Sequence, residues 1–191
     1  MRKLIAAFRV SVDSKIEGPD GYAGWVGSWS DDYGLTSSID ACVLGGEMYK
    51  GYEPYWTGVR NEPSKAAWIT GEAPTQGEIE WAAFAARTPH YVVSRTQRTA
   101  AWPNTRFLRS IDEIAGLKAQ DGKDIYLMGG ARLAGSCLDR GLVDELRLLV
   151  YPLVAGPGKP LFETIGSHAL ILRNADQLNG GLVRMHFDVK H

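Results

Sequence analysis

Apolar and polar positions change period repeatedly along this chain, and each change marks an element. Lys3 to Val12 is a nearly unbroken run of apolar and β-branched residues ending at Asp13-Ser14, which predicts a first strand buried on both faces. Glycines 18, 21, 24 and 27, interleaved with Tyr22, Trp25 and Trp29, resist regular structure and read as a mobile aromatic loop. Residues 31–39 predict a short helix. Ala41-Cys42-Val43-Leu44 predicts a short apolar strand stopped by Gly45-Gly46. From Lys50 to Pro74, glycine, proline and aromatics including Tyr52, Pro54, Tyr55 and Trp56 break up any period.

The second half is more regular. Thr75-Gln76-Gly77-Glu78 fits a capping box, in which hydroxyl and carboxylate satisfy orphan amides, and predicts a helix through Ala86. Pro89 precedes a strand from His90 to Ser94. Ser110-Ile111-Asp112-Glu113 is a second capping box, with Ile111, Ile114 and Leu117 at helical spacing and Gly122 as the stop. Asp124 to Met128 is a strand broken by Gly129-Gly130, Ala131 to Arg140 a helix closed by Gly141, and Val143 to Tyr151 a strand ended by Pro152. His168 to Arg173 and Leu182 to Val189 read as strands about Asn179-Gly180-Gly181. In the second, Val183, Met185, Phe187 and Val189 alternate with Arg184, His186, Asp188 and Lys190, the period of an antiparallel strand with one wet face. Alternating strands and helices require crossovers and hence parallel pairing. The expected fold class is α/β, a mostly parallel central sheet flanked by helices and finished by an antiparallel hairpin.

With 191 residues, 45% hydrophobic and 23% charged, the chain has the make-up of one globular domain, 1–191. Lys plus Arg number 21 and Asp plus Glu 22, a net charge of −1, which leaves no global field to draw nucleic acid or an anionic membrane. No apolar run approaches the ~20 residues of a membrane span, and the opening Met-Arg-Lys-Leu-Ile-Ala-Ala-Phe-Arg carries a charge where a signal peptide is apolar. Cys42 and Cys137 stand in no C-x-x-C, and His90, His168, His186 and His191 have no metal-ligand spacing. Buried thiols in a reducing cytoplasm, with no metal site, are expected.

Three sites follow predicted strands: Gly45-Gly46, Ser94-Arg95-Thr96 and Gly129-Gly130-Ala131. In parallel sheets the carboxyl ends of the strands line the ligand crevice, and a helix starting at Ala131 aims free amides and a positive dipole end at an anion. Each site alone is also an ordinary strand terminator; three at one sheet edge, one with Arg95, point to nucleotide phosphates. G-x-G-x-x-G is absent, and Gly158-Lys159 is followed by Pro160, so neither standard phosphate loop is present.

Taken in order, Ser11-Val12-Asp13, Ile16-Glu17-Gly18, Trp25, Leu44-Gly45-Gly46-Glu47-Met48-Tyr49, Val92-Val93-Ser94-Arg95-Thr96, Gly129-Gly130-Ala131-Arg132-Leu133, Gly141-Leu142-Val143-Asp144-Glu145-Leu146 and Gly156-Pro157-Gly158-Lys159-Pro160-Leu161-Phe162 resemble the dihydrofolate reductase-like superfamily. They are most similar to the reductase half of the bacterial bifunctional riboflavin-biosynthesis deaminase-reductase and its stand-alone relatives. The resemblance spans nearly the whole chain and is weakest from Gly58 to Arg87. It implies a homodimeric reductase using NADPH, with NADH as the alternative. It also implies a cofactor site of Ile16, Gly45, Gly46, Tyr49, Ser94, Arg95, Thr96, Gly129, Gly130, Ala131, Arg132 and Leu133. Two departures stand out. Relatives read Gly-Arg where this chain has Gly46-Glu47, which shifts the basic role toward Arg95 or Arg98. They read Gly where it has Ser14.

Hydride transfer to a C=N or C=O bond needs a proton donor. In dihydrofolate reductases a carboxylate follows the loop tryptophan; here Asp31 and Asp32 follow Trp25, and either is the acid or a helix cap. Asp13 holds the loop, meets substrate or simply makes a turn. Trp25, Tyr55 and Trp56 stack on a planar substrate or pack the core. The H-x-E and P-C-x-x-C motifs of a zinc deaminase are missing, which leaves only the reductive step. The resemblance makes the ribosylamino-pyrimidine of riboflavin synthesis the leading small-molecule substrate. A folate reductase and a non-catalytic nucleotide-binding module are the rival expectations.

Overall fold

The N-terminal apolar run becomes β1 (Leu4–Ser11), with seven of its eight residues buried, in a computed structural model that describes residues 1–30, 33–163 and 165–191. Burial on both faces demands neighbours on both sides. β1 pairs in parallel with β6 (Asp124–Gly129) and with β7 (Glu145–Tyr151). β3 (Ile39–Gly45) follows β6 outward, then β4 (His90–Val93) and β5 (Thr105–Leu108), all parallel. Beyond β7 the sheet turns antiparallel, through β10 (Val183–Val189) to the edge strand β9 (Leu170–Gln177). A separate two-stranded ribbon joins β2 (Lys15–Glu17) to β8 (Lys159–Pro160). This is the mostly parallel sheet with flanking helices and a C-terminal antiparallel pair that the sequence predicts.

Alternate residues of β1 serve opposite faces. Ile5 and Ala7 join an aromatic cluster under α1 (Gly46–Asn61) and α2 (Gln76–Arg87), with Tyr52, Trp56, Trp81 and Tyr126. Leu4, Ala6 and Phe8 join an aliphatic cluster under α3 (Glu113–Lys118) and α4 (Ala131–Asp139), with Ile114, Leu127, Ala134 and Leu138. The α2 cap forms as predicted: Thr75 Oγ1 accepts the Glu78 amide at 3.3 Å and a Glu78 oxygen accepts the Thr75 amide at 2.8 Å. The second capping box forms by half. Glu113 accepts from the Ser110 amide at 2.9 Å, but Ser110 Oγ takes the Asp112 amide at 3.2 Å, and α3 starts only at Glu113. Both cysteines are buried, and neither is joined in a disulfide. No helix among the described residues is long and apolar enough to cross a membrane.

Three expectations are corrected. No helix forms in the described part of residues 31–39. Gly34 has φ +69°, and the Ser38 and Ile39 amides both close on the Leu35 carbonyl, making one turn before β3. The stretch without a period after Lys50 begins as helix: α1 runs 16 residues, from Gly46 through Pro54 to Asn61. Its inward face is Tyr49, Tyr52, Trp56 and Val59, at i, i+3, i+7 and i+10, a spacing hidden by the intervening glycines and proline. The hairpin has no cleanly dry face, because among the described residues nothing covers β9, whose Leu170, Ile171 and Leu172 are 40–54% exposed.

Beneath α1, His90 is fully buried. Its Nδ1 lies 2.8 Å from the Thr88 carbonyl, which assigns the proton to Nδ1, and Nε2 accepts from the Tyr52 hydroxyl at 3.3 Å. Burial disfavours the imidazolium and lowers the pKa to about 4. The unfolded ring, near 6.5, protonates first as pH falls, so this stabilisation is complete above pH ~6.5 and lost on the way to ~4. Urea unfolding of wild type against His90→Gln is expected to show an extra acid loss of about 3 kcal/mol in wild type across that window; parallel pH profiles would contradict it. Ser14 has φ +61°, the only positive φ outside glycine among the described residues. Ser14→Gly is expected to raise stability by up to ~1 kcal/mol in thermal unfolding, because the left-handed region costs a side chain more than glycine loses in entropy.

Candidate active site

Parallel pairing fixes where the strands stop. Gly45 is in register with Val93, and Leu44 with Gly129, so β4, β3 and β6 end side by side. α1 starts at Gly46 and α4 at Ala131, with Gly45 and Gly130 as N-caps and no side-chain cap at either. A Cβ placed on Gly45 would lie 3.9 Å from the Gly130 nitrogen. Two helix starts, each with unclaimed first-turn amides, therefore face one crevice. Gly45, Gly46, Ser94, Gly129, Gly130 and Ala131 are brought together, as the sequence reading requires.

The crevice is tight enough to demand glycine. A Cβ on Gly46 would come within 2.9 Å of Ser94 Oγ and 2.5 Å of Gln97 Oε1. Gly129 has φ +147°, and a Cβ there would meet Met48 Sδ at 2.7 Å. The Gly129-Gly130 peptide is cis. The loop after β4 is shaped by Arg109, whose Nη1 donates to the Ser94 and Gln97 carbonyls, both at 2.7 Å. Ser94 Oγ accepts the Gln97 amide at 3.1 Å. Arg95, Thr96 and Arg98 stand exposed on this loop. Glu47, exposed in the first turn of α1, is paired with Lys50 at 2.7 Å. Arg109 escaped the sequence reading because it contributes through backbone carbonyls and belongs to no motif; its signal was a lone basic residue just after an unrecognised strand, β5.

Other expected site residues are placed elsewhere. Tyr49 is 2% exposed; its hydroxyl donates to Glu53 at 2.6 Å and meets Thr105 Oγ1 at 2.7 Å, and burial pushes the phenol up. It seams α1 to β5 rather than facing the crevice, because the first turn of α1 turns Met48 toward Gly129 and Tyr49 inward. Leu133 is buried in the aliphatic cluster, so only its backbone is near the helix start, while Arg132 is exposed. Ile16, half-buried on β2, packs on the same cluster.

Asp13 accepts from Ser11 Oγ at 2.7 Å and from the Ala155 and Gly156 amides at 2.9 and 3.0 Å. The Ser11 hydroxyl, then these amides, hold its carboxyl down at about 2. It latches the loop after β7 to the end of β1. Trp56 is buried edge-on to Tyr52, Tyr55 and Trp81, so its ring belongs to the core. Tyr55, its phenol pushed up by burial to about 12, borders a hollow of about 210 Å³ with Val59, Ala67 and Trp68. Trp25 packs half-buried on the aromatic cluster with its indole N–H buried and unpartnered. Asp31 and Asp32 lie outside the described residues.

A second hollow, about 230 Å³, is bordered by Tyr33, Arg147, Asn174, Asp176, Arg184 and His186. Beside it, Glu145, His186 and Asp188 bring ligand atoms within 4.8 Å of one another. Glu145 is already met by Lys3 at 2.7 Å and Arg147 at 3.0 Å, which makes the group an ion-pair network.

Comparison with known proteins identifies the family and the fold. The family model described as the RibD C-terminal domain matches residues 2–183. Two Bacillus subtilis proteins, both uncharacterised, are similar over nearly their whole length. YyaP is 32% identical across 96% of this chain and 93% of its own, and YwjB 23% identical across 97% of each. Among solved structures, a putative riboflavin biosynthesis protein from Shewanella superposes with a TM-score of 0.69 at 18% identity, covering 99% of both chains. A pyrimidine reductase-like protein from Corynebacterium diphtheriae gives 0.63 at 18% identity, covering 100% of this chain and 92% of that one. A Thermotoga maritima diaminohydroxyphosphoribosylaminopyrimidine deaminase/5-amino-6-(5-phosphoribosylamino)uracil reductase gives 0.60 at 12% identity, covering 99% of this chain but 57% of that one. With its strand ends, helix starts and sheet order all in place, the chain belongs to the family of RibD C-terminal, reductase-like domains.

Proposed function

We propose that the 191 residues form one NADPH-dependent reductase unit that delivers a hydride to a small heterocyclic or carbonyl substrate, in a reducing cytoplasm. The observation that carries this reading is the approach of Gly45 to Gly130, which puts two uncapped helix starts on one crevice suited to a diphosphate. The crevice suits such a group because no side chain caps either helix start. The amides of Gly46, Glu47, Ala131, Arg132 and Leu133 would hold the phosphates. Ser94, Arg95 and Thr96 would flank the adenosine end, with Arg95 or Arg98 meeting the additional phosphate that distinguishes NADPH. The Glu47–Lys50 pair leaves little net charge at α1 to oppose it.

Bound NADPH supplies the hydride. The chain supplies orientation and the proton. Trp25, whose buried indole N–H lacks a partner, offers a donor that a substrate oxygen would satisfy. Asp13 fixes the loop beside the strand ends. Asp31 or Asp32, next along from the glycine-rich Trp25 loop, is the proposed acid. The leading substrate is the phosphoribosylamino-uracil named for the Thermotoga neighbour; the family match and the shared sheet support it. The exposed Leu170, Ile171 and Leu172 on the edge strand support association into a homodimer.

Titration followed by the fluorescence of the reduced nicotinamide is expected to show NADPH bound at least tenfold more tightly than NADH, and Arg95→Ala with Arg98→Ala to erase that preference. Equal binding of both cofactors by wild type would remove the phosphate-specific part. Gly129→Ala is expected to cost NADPH affinity tenfold or more, since its methyl must displace Met48 in the crevice. The double variant Asp31→Asn, Asp32→Asn is expected to lower substrate-dependent NADPH oxidation about 10²-fold or more with cofactor affinity retained. Unchanged turnover would show that neither carboxylate donates the proton.

A further inference from the structure

The stretch that the family motifs cover least, before β4, contains an acidic residue with a role outside its own helix. Glu78 is 2% exposed, and its two oxygens have different partners. Oε2 accepts from the Thr75 amide at 2.8 Å and the Thr75 hydroxyl at 2.9 Å, which completes the cap of α2. Oε1 accepts the amide N–H of Trp29 at 3.0 Å, 49 residues away. A helix cap alone needs neither that second bond nor burial of the charge, which is costly unless donors surround it.

The contact around this bond is close. Ser28 Oγ lies 3.0 Å from Thr75 Oγ1. Gly77, in the first turn of α2, faces Ser30 so nearly that a Cβ on it would come within 2.7 Å of Ser30 Cβ. From the opposite side Arg9, on β1, donates to the Ser30 carbonyl and sets its guanidinium 5.3 Å from the Trp29 ring and 5.1 Å from the Tyr33 ring. Further back, the Tyr22 hydroxyl donates to the Ile69 carbonyl at 2.9 Å, and Ala23 and Val26 are buried. The glycine-rich loop is pinned between the sheet and α2.

We infer that Glu78 is a positioning residue: its buried carboxylate holds the Ser28–Ser30 part of the loop against the first turn of α2. Resting on the reductase reading, in which this loop borders the substrate, the same bond limits how often the loop detaches, because local opening is governed by a few tethers. The segment carrying α2 thereby gains a function: it is the platform on which the loop is held.

Amide hydrogen exchange on the full chain tests this in wild type, Glu78→Gln and Gly77→Ala. Glutamine keeps one acceptor but turns an NH₂ against a donor. Alanine is the better helix former, yet its methyl pushes into Ser30, so this variant separates helix stability from loop closure. Exchange at residues 28–30 is expected to rise tenfold or more in both variants, with the amides of β1 and β6 unchanged. With the phosphoribosylamino-uracil, kcat/KM is expected to fall several-fold while NADPH affinity stays within about twofold. Unaltered exchange at 28–30 in either variant, or a rise spread equally through the core, would overturn the inference and leave Glu78 a helix cap. Failure of wild type to bind NADPH would overturn the reductase reading alone, since the exchange result does not depend on it.

Discussion

Two helix starts can share one anion only if the strands that feed them stop side by side. β3 and β6 meet that condition: Leu44 pairs with Gly129, and a Cβ placed on Gly45 would lie 3.9 Å from the Gly130 nitrogen, an ordinary van der Waals contact. The rest of the molecule serves this alignment. β1 is buried on both faces and locks β6 in place. The aromatic cluster seats α1 so that its N-terminus points into the crevice, and the aliphatic cluster does the same for α4. Glycine at 46 and 129 is then a steric requirement rather than a preference.

Charge follows a similar division. Side chains that keep the frame rigid have partners already: Glu53 with Tyr49 and the Trp102 amide, Asp13 with the amides of 155 and 156, Glu145 with Lys3 and Arg147. Arg95 and Arg132, by contrast, reach solvent at the crevice. A site proposed to hold a polyanion by backbone amides has use for such arginines at its rim, where they add attraction without the desolvation cost of a buried charge.

What could be read ahead of the structure was whatever depends on local rules. The Thr75–Glu78 box is self-contained within four residues, and the helix closed by Gly141 ends where a left-handed turn is needed, φ +63°. Two of the three strand ends were legible from glycine after an apolar run, and the third from the apolar run between Pro89 and Ser94. The rest depends on tertiary context. The α1 stripe was concealed because packing on the sheet overrides the poor propensity of Gly51, Pro54 and Gly58. Tyr49 sits within a cofactor motif, and only its hydrogen bonds to Glu53 and Thr105 reveal a seam. Trp56 could not be told from a stacking platform until Tyr52, Tyr55 and Trp81 were found around it. Glu78 was recognised as a cap, but a bond spanning 49 residues leaves no trace in spacing.

The central claim is that the amides at the starts of α1 and α4 jointly receive the cofactor's diphosphate. Residue-by-residue NMR shifts on adding NADPH test it most directly. The account predicts the largest backbone amide changes at Gly46, Glu47, Ala131 and Arg132, with little change around Arg147, Arg184 and His186. Changes concentrated at that second hollow, with the two helix starts unaffected, would contradict it.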